Sequence, residues 1–402
     1  MLTLEEALAR MLQGVQPLAE AETLSTFDAL GRVLAADVNS LLDVPPEDNT
    51  SMDGYALRAA DVPVVGTVLP LAQRIAAGAV GLPLQRGTAA RIFTGAQLPA
   101  GADAVVMQEQ CEAVDSAVRV NVVPESGQWV RRRGEDVRQG TQVLARGTRL
   151  TPQALGLAAS VGAARLSVAR RPRVALFSTG DELVMPGEPL RPGAIYNSNR
   201  YTLRGLLQTF GCDCVDLGIV PDTLDATRDA LRRAATGCDL IVTSGGVSAG
   251  EEDHLRPAAQ AEGRLDLWQV AIKPGKPLAF GAIRREDGSS AWFIGLPGNP
   301  VSSFITFLLA VRPVVLRLQG APAAAPVTLT ARSDFDWPRP DRRREFLRVR
   351  RSPEGALELF ANQSSGVLTS TVWGDGVVDN PAGQAIRRGD PVRYVSFAEL
   401  MV

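Results

Sequence analysis

The spacing of apolar residues along this chain changes several times, and each change marks a boundary. Between Leu2 and Leu12 they fall at Leu4, Ala7, Leu8, Met11 and Leu12, the three- and four-residue spacing of one helical face. Thr3 is placed to cap that helix and Gly14 to stop it. A second short helix is predicted near 26–34, followed by a Pro-rich connection at 41–50. From about 51 to 143 the pattern is one of short strands broken by Gly and Pro, at 64–69, 73–77, 89–94, 104–108 and 117–123. That predicts a small all-β unit. A helix over 152–161 follows. After Arg170-Arg171-Pro172 strands and helices alternate, with strands at 173–177, 212–220, 240–243, 265–272, 278–283 and 292–294. The helices of this part fall at 199–210, 224–235, 254–262 and 301–318. Such alternation predicts a mostly parallel sheet covered on both faces, with ligands beyond the carboxyl ends of its strands. Gly320 to Pro326 reads as a linker, and short strands at 328–331, 346–350, 357–360 and 391–395 predict a second small β-domain.

Composition narrows the class. With 402 residues, 45% hydrophobic and 21% charged, the chain has enough apolar material for several packed domains. A formal net charge of −2 gives no general attraction to nucleic acid or to an anionic membrane, so anion binding has to be local. No apolar run approaches the roughly 20 residues that span a bilayer. The first ten residues carry Glu5 and Glu6 and lack the basic start of a secretory signal, so the expected location is the cytoplasm. Four cysteines at 111, 212, 214 and 238 show no zinc spacing and read as buried, reduced thiols. A single histidine, His254, leaves the chemistry to carboxylates, lysines, hydroxyls and backbone.

Loops at the predicted strand ends carry the polar residues. Cys238 to Ser244 is an apolar run that breaks into Gly245-Gly246 and then into Glu251, Glu252 and Asp253. Glycines there let backbone N–H groups approach an anion, and the acids suit a hard cation. Ser178-Thr179-Gly180-Asp181-Glu182 offers hydroxyls and acids, equally compatible with a ligand loop and with a turn into a helix start. Asp222 follows a strand and reads as a helix cap or as a metal ligand. Lys273-Pro274-Gly275-Lys276-Pro277 sets two cations on a proline-stiffened loop, which favours an anion clamp over a surface turn. Gly295-Leu296-Pro297-Gly298-Asn299-Pro300 precedes the long apolar helix and offers either backbone donors or a simple turn.

Taken together these residues resemble the molybdopterin molybdenumtransferase family (molybdenum insertases, MoeA-like, including the gephyrin E domain). The motifs that carry the resemblance run in order along nearly the whole chain. They are Ser51-Met52-Asp53-Gly54-Tyr55-Ala56, Thr94-Gly95-Ala96, Gly134-Glu135-Asp136, Ser178 to Leu183, Tyr196-Asn197-Ser198-Asn199, Ser244 to Ser248, Lys273 to Pro277, and Leu296 to Ser302. The resemblance implies an α/β and β multidomain protein. A discontinuous N-terminal helical linker domain would span 1–44 and 144–171, with an inserted β-domain at 45–143. A MogA/MoaB-like parallel α/β molybdopterin-binding domain at 172–319 and a C-terminal β-barrel-like domain at 327–402 would follow.

The implied reaction is Mg2+-dependent insertion of molybdate into adenylylated molybdopterin, releasing AMP and forming molybdenum cofactor. By similarity Asp53, Thr94, Asp136, Glu182, Asp222 and Asp253 are the catalytic set, and Glu182, Asp222 and Asp253 the metal ligands. Ser178, Thr179, Gly180, Ser244, Gly245, Gly246, Lys273, Lys276, Pro277, Arg348 and Ser365 are the substrate- and molybdate-binding residues. The implied assembly is a homodimer with the site between subunits. A separate molybdopterin adenylyltransferase and recipient apo-molybdoenzymes are its implied partners, with no nucleic acid and no membrane. Where relatives often carry tyrosine, this chain has His254. A related-fold enzyme that adenylylates molybdopterin and a non-catalytic scaffold are the competing readings. The Ser51–Ala56 motif and flanking β-domains speak against the first, and the intact acids and lysines against the second.

Overall fold

The computed structural model describes residues 1–247 and 254–401. Helix Leu4–Gly14 starts in a capping box, in which Thr3 Oγ1 accepts from the Glu6 N–H while the Glu6 carboxylate accepts from the Thr3 N–H. Its apolar face (Leu4, Ala7, Met11) packs into the core of the α/β domain. The helix thus buries its apolar face against a domain that begins more than 150 residues later in the chain. Amphipathicity predicts a buried face but not the partner that buries it. The helix expected near 26–34 is corrected, to a single 3-10 turn at Thr26–Asp28. Gly31 there adopts a φ of +72°, and the backbone turns away to hydrogen-bond Leu150 and Thr148 instead of continuing a helix. Strand Ala21–Ser25 pairs antiparallel with Arg165–Ala169, and Val38–Asn39 pairs with Gln142–Leu144. Residues from both sides of the β-unit (Leu34, Val38, Leu150, Ala158, Val168) share one core with helix Pro152–Ser160.

Between those two halves lies a six-stranded sheet. Its order is Ala104–Met107, Gly54–Leu57, Ala89–Ile92, Thr67–Ile75, Ala117–Val120, Cys111–Val114. The runs expected as two strands at 64–69 and 73–77 form the single strand Thr67–Ile75.

The α/β domain is built on a second six-stranded sheet. Asp213–Val220, Arg173–Thr179, Leu240–Ser244 and Ser290–Leu296 are parallel neighbours, continued by the antiparallel strands Pro277–Arg284 and Gly263–Gln269. Alternate residues of one strand serve opposite faces. Val174 and Leu176 pack with helix Ser198–Thr209 and the long C-terminal helix, whereas Ala175 and Phe177 pack with helices Leu224–Gly237 and Leu255–Glu262. The long helix Pro300–Leu318, with a π-helical stretch at Phe307–Val311, is apolar and long enough to cross a membrane. Its most apolar window is 89% buried inside the molecule, which makes it a core helix. The sequence-based expectation that no run nears that length is corrected to this extent.

A third sheet forms the C-terminal domain, in the order Ile272–Lys273, Arg344–Arg351, Gly376–Asn380, Pro391–Ser396, Leu329–Arg332, with Leu357–Leu359 beside Arg344–Arg351. A bridge from Ser333 to Leu357 brings the last strand of that order back to Leu357–Leu359, curling the sheet toward a barrel. Its first strand is contributed by the lysine loop of the α/β domain. None of the four thiols is bonded, and burial pushes Cys111 and Cys214 up to about 11 and Cys212 up to about 12.

Candidate functional site

The parallel strands end together. Thr179 lies opposite Val220, Ser178 opposite Ser244, and Ser244 opposite Leu296. Ser178, Thr179, Thr243 and Ser244 are all buried, although the strands that carry them are otherwise apolar. A buried hydroxyl without a partner costs roughly 1–3 kcal/mol. Ser178 Oγ and Thr243 Oγ1 have none among the described residues. Asn199, in the first turn of helix Ser198–Thr209, donates through Nδ2 to Ser244 Oγ and to the Gly298 carbonyl, both at 2.7 Å. This one amide joins the glycine loop, the helix start and the Pro297–Pro300 turn. Its Oδ1 is buried and unpartnered among the described residues. The backbone is as constrained as the side chains. Gly245 has φ +94°, and a Cβ there would lie 2.9 Å from the Thr179 carbonyl oxygen. Gly180 has φ +145°, and a Cβ would lie 2.5 Å from Glu182 Oε2. Both positions therefore call for glycine.

The acids divide into two groups. At the strand ends, the Asp222 N–H donates to Asp181 Oδ1 at 3.4 Å, which joins the loop after Thr179 to the loop after Val220. Glu182 is exposed and Asp222 partly so. Their oxygens are hard donors of the kind Mg2+ takes, and the missing side chain of Gly180 leaves the Glu182 carboxylate its space. Asp253, with Glu251 and Glu252, lies outside the described residues, and among those described no three metal-ligating side chains converge. The second group sits in the inserted unit. Asp53 accepts from the Thr94 N–H (2.8 Å) and the Thr94 hydroxyl (2.7 Å). These two bonds hold its carboxyl below the usual range, with the Arg91 guanidinium adding to the effect. Asp136 is exposed, in a loop tied down by Asp43 and Asp48, which accept from Arg133 and Arg132. Among the described residues no hydrogen bond or ion pair joins Asp53, Thr94 or Asp136 to the strand-end group.

The two lysines of the proline loop differ. Lys273 lies opposite Glu345 in the parallel pairing of Ile272–Lys273 with Arg344–Arg351. Its Nζ is 3.2 Å from Glu345 Oε1 and 3.5 Å from Asp341 Oδ2. Lys276 is exposed and makes no ion pair among the described residues. Between them Gly275 has φ +110°, and a Cβ there would clash with the Thr306 hydroxyl of the long helix. Pro277 opens the next strand. Arg348 is the largest fully buried side chain of the protein. Its guanidinium donates to Ser370 Oγ (3.1 Å), the Phe346 carbonyl (3.3 Å) and the Ser364 carbonyl (3.1 Å). Burial lowers its pKa to about 10. The neighbouring Ser365 carbonyl accepts from the Val301 N–H at 2.9 Å, so this loop caps the long helix.

Sequence reasoning missed Asn199 as an organising residue, Glu345 and Asp341 as the acids facing Lys273, and Asp43 and Asp48 as the anchors of the 134–136 loop. Asn199 was visible only as part of a motif. The acids are separated in sequence from their partners by 68 to 96 residues.

Comparison with known proteins gives three family matches: residues 2–162 to the MoeA N-terminal region (domain I and II), 175–317 to a probable molybdopterin binding domain, and 330–397 to the MoeA C-terminal region (domain IV). A molybdopterin molybdenumtransferase of Haemophilus influenzae is 41% identical over 321 residues, covering 80% of this chain and 78% of its own. One from Synechococcus elongatus is 35% identical over 407 residues, 98% of each. The crystal structure of the molybdopterin biosynthesis moeA protein of Pyrococcus horikoshii superposes with a TM-score of 0.85 at 28% identity, over 98% of this chain and all of that one.

Proposed function

The chain belongs to the molybdopterin molybdenumtransferase family, transferases of molybdenum cofactor biosynthesis, and from that premise we propose that it inserts molybdate into adenylylated molybdopterin and releases AMP. The observation that carries this reading is the polar edge where the parallel strands end. Hydroxyls that are buried and unpartnered among the described residues, together with close-packed glycines, leave donors and acceptors there for a bound ligand to satisfy.

Ser178, Thr179, Ser244 and the backbone of Gly180, Gly245 and Gly246 bind the substrate's polar groups. Lys273 and Lys276 form a clamp that supplies positive charge for the incoming oxyanion, and Arg348 holds the Ser364–Ser365 segment. A buried guanidinium whose hydrogen-bond partners among the described residues are neutral is also the kind of group an oxyanion would stabilise. Glu182, Asp222 and Asp253 would hold Mg2+, which when bound neutralises charge developing on the phosphoanhydride. Asp53, kept ionised by Thr94, orients water or substrate from the inserted β-unit, and Asp136 does so from the adjacent loop.

In this reading, as the family resemblance implies, the complete site takes its two walls from two copies of the chain, the strand-end group from one and the Asp53 group from the other. A separate adenylyltransferase supplies the substrate, apo-molybdoenzymes receive the product, and the reaction takes place in the cytoplasm. The test is an assay on purified protein. Molybdate-dependent AMP release from adenylylated molybdopterin is the expected result. ATP consumption with molybdopterin alone, and no such release, would contradict it.

A further inference from the structure

The acid that faces Lys273 has no role in the reading above. Glu345 is the most deeply buried of the ion-paired acids among the described residues, its side chain 1% exposed. It is held from several directions: Trp337 Nε1 donates to Oε2 at 2.8 Å, Asn380 Nδ2 donates to the same oxygen at 3.4 Å, and Lys273 Nζ donates to Oε1 at 3.2 Å. Beside it Asp341 is tied to Arg343 by two 2.9 Å bonds from the guanidinium, which hold its carboxyl well below the usual range. Asp341 also reaches Lys273 at 3.5 Å. The cluster thus contains two cations, Lys273 and Arg343, and two carboxylates. Its charge is balanced without any ligand, whereas Lys276, three residues on, faces no carboxylate among the described residues. The pair also sits on a seam. Lys273 belongs to the α/β domain and Glu345 to the C-terminal sheet, and the two-residue strand Ile272–Lys273 pairs that sheet with the lysine loop.

We propose that Glu345 is a positioning residue that competes with the oxyanion for the Lys273 ammonium. Oxyanion binding and the strength of the domain seam are then linked. The inference rests on the clamp assignment made under the proposed function. An anion arriving beside Lys276 has to draw Lys273 away from a carboxylate already in place, and the coupling is reciprocal. Glu345 therefore keeps oxyanion affinity below what two uncovered lysines would give. It also holds the loop in position before the anion arrives.

Molybdate titrated into the purified full chain by calorimetry tests this. Glu345→Gln keeps the shape and an acceptor for Trp337 but removes the charge, and the expected result is molybdate binding tighter by about fivefold, the size of one partly exposed ion pair. A purely structural role would weaken binding or leave it unchanged. In a Lys273→Ala background the same substitution should change nothing. Asp341→Asn, which removes the more distant and more exposed of the two carboxylates, should shift affinity in the same direction by less, and it stands in if Glu345→Gln fails to fold. Weaker or unchanged binding in Glu345→Gln, or an equal gain without Lys273, overturns the inference while leaving the clamp intact. No molybdate binding by the wild type, or no loss in Lys276→Ala, overturns the clamp and this inference with it.

Discussion

The strand-end edge and the lysine seam handle buried polar groups in opposite ways. At the edge the groups are neutral: Ser178 Oγ, Thr243 Oγ1 and Asn199 Oδ1 are buried without partners among the described residues. At the seam they are charged, with Glu345 fully buried and its neighbours partly so, and each charge is matched, Lys273 by Glu345 and Asp341, and Asp341 by Arg343. The physics explains the division. An unpartnered neutral group costs roughly 1–3 kcal/mol, which a domain can carry at a few positions, whereas an unmatched buried ion costs several times more. Neutral groups can therefore wait for a ligand, and charged ones have to be paired until it comes. Arg348 is intermediate, a buried cation balanced by two carbonyls and a hydroxyl.

Changes at the charged side should be the more damaging. Arg348→Ala removes the donor from three partners at once and frees the loop that caps the long helix. It should lower unfolding free energy by on the order of 3 kcal/mol in urea and abolish molybdate-dependent AMP release. Arg348→Met, which restores bulk but not donors, should recover part of the stability and none of the activity. If Arg348→Met were as active as wild type, the contrast drawn above would fail.

At the neutral edge the effects should be smaller and more local. Gly245→Ala places a methyl 2.9 Å from the Thr179 carbonyl oxygen at a φ of +94°. A loss of about 1–3 kcal/mol is expected by chemical denaturation, with weaker binding of AMP read by calorimetry. Asn199→Ala releases Ser244 and the Gly298 turn and should cost about 1–2 kcal/mol while raising KM for the adenylylated substrate more than it lowers kcat. An unchanged KM would mean that the amide only supports the fold.

The smallest effect concerns Asp53, which belongs to neither region. Its carboxyl is held below the usual range by Thr94, so this pairing favours the folded protein above the carboxyl's unfolded pKa. The benefit is lost as pH falls through the folded value. Thr94→Val should move the Asp53 titration back up, seen by carbon NMR of the carboxyl, and move the acid limb of the activity profile to higher pH. A titration unmoved by that substitution would remove Thr94 from the assignment.

The neutral edge was largely legible in the sequence, because it is made of residues next to each other in the chain. An apolar run that ends in Ser244-Gly245-Gly246, or in Ser178-Thr179-Gly180, already states that a buried strand stops at a close-packed polar turn. The seam was not legible. Lys273 and Lys276 look alike within one five-residue loop, and what separates them is Glu345, which reaches Lys273 only through pairing of strands from two domains. For the same reason the periodicity at 2–12 gives a correct helix and leaves open the core it joins. The helix expected at 26–34 gives way to one 3-10 turn because Gly31 takes a φ of +72°, outside the helical range.

The central claim is a composite site in which a neutral edge binds the nucleotide-bearing substrate and a charged seam receives the oxyanion. The most direct measurement is a crystal structure of the protein with AMP and molybdate, located by the anomalous signal of molybdenum. The account predicts molybdenum beside Lys276 and the Arg348 loop, and the AMP phosphate against Ser178 to Gly180 and Ser244 to Gly246. Molybdenum bound away from both lysines, with the strand-end hydroxyls still unpartnered, would contradict it.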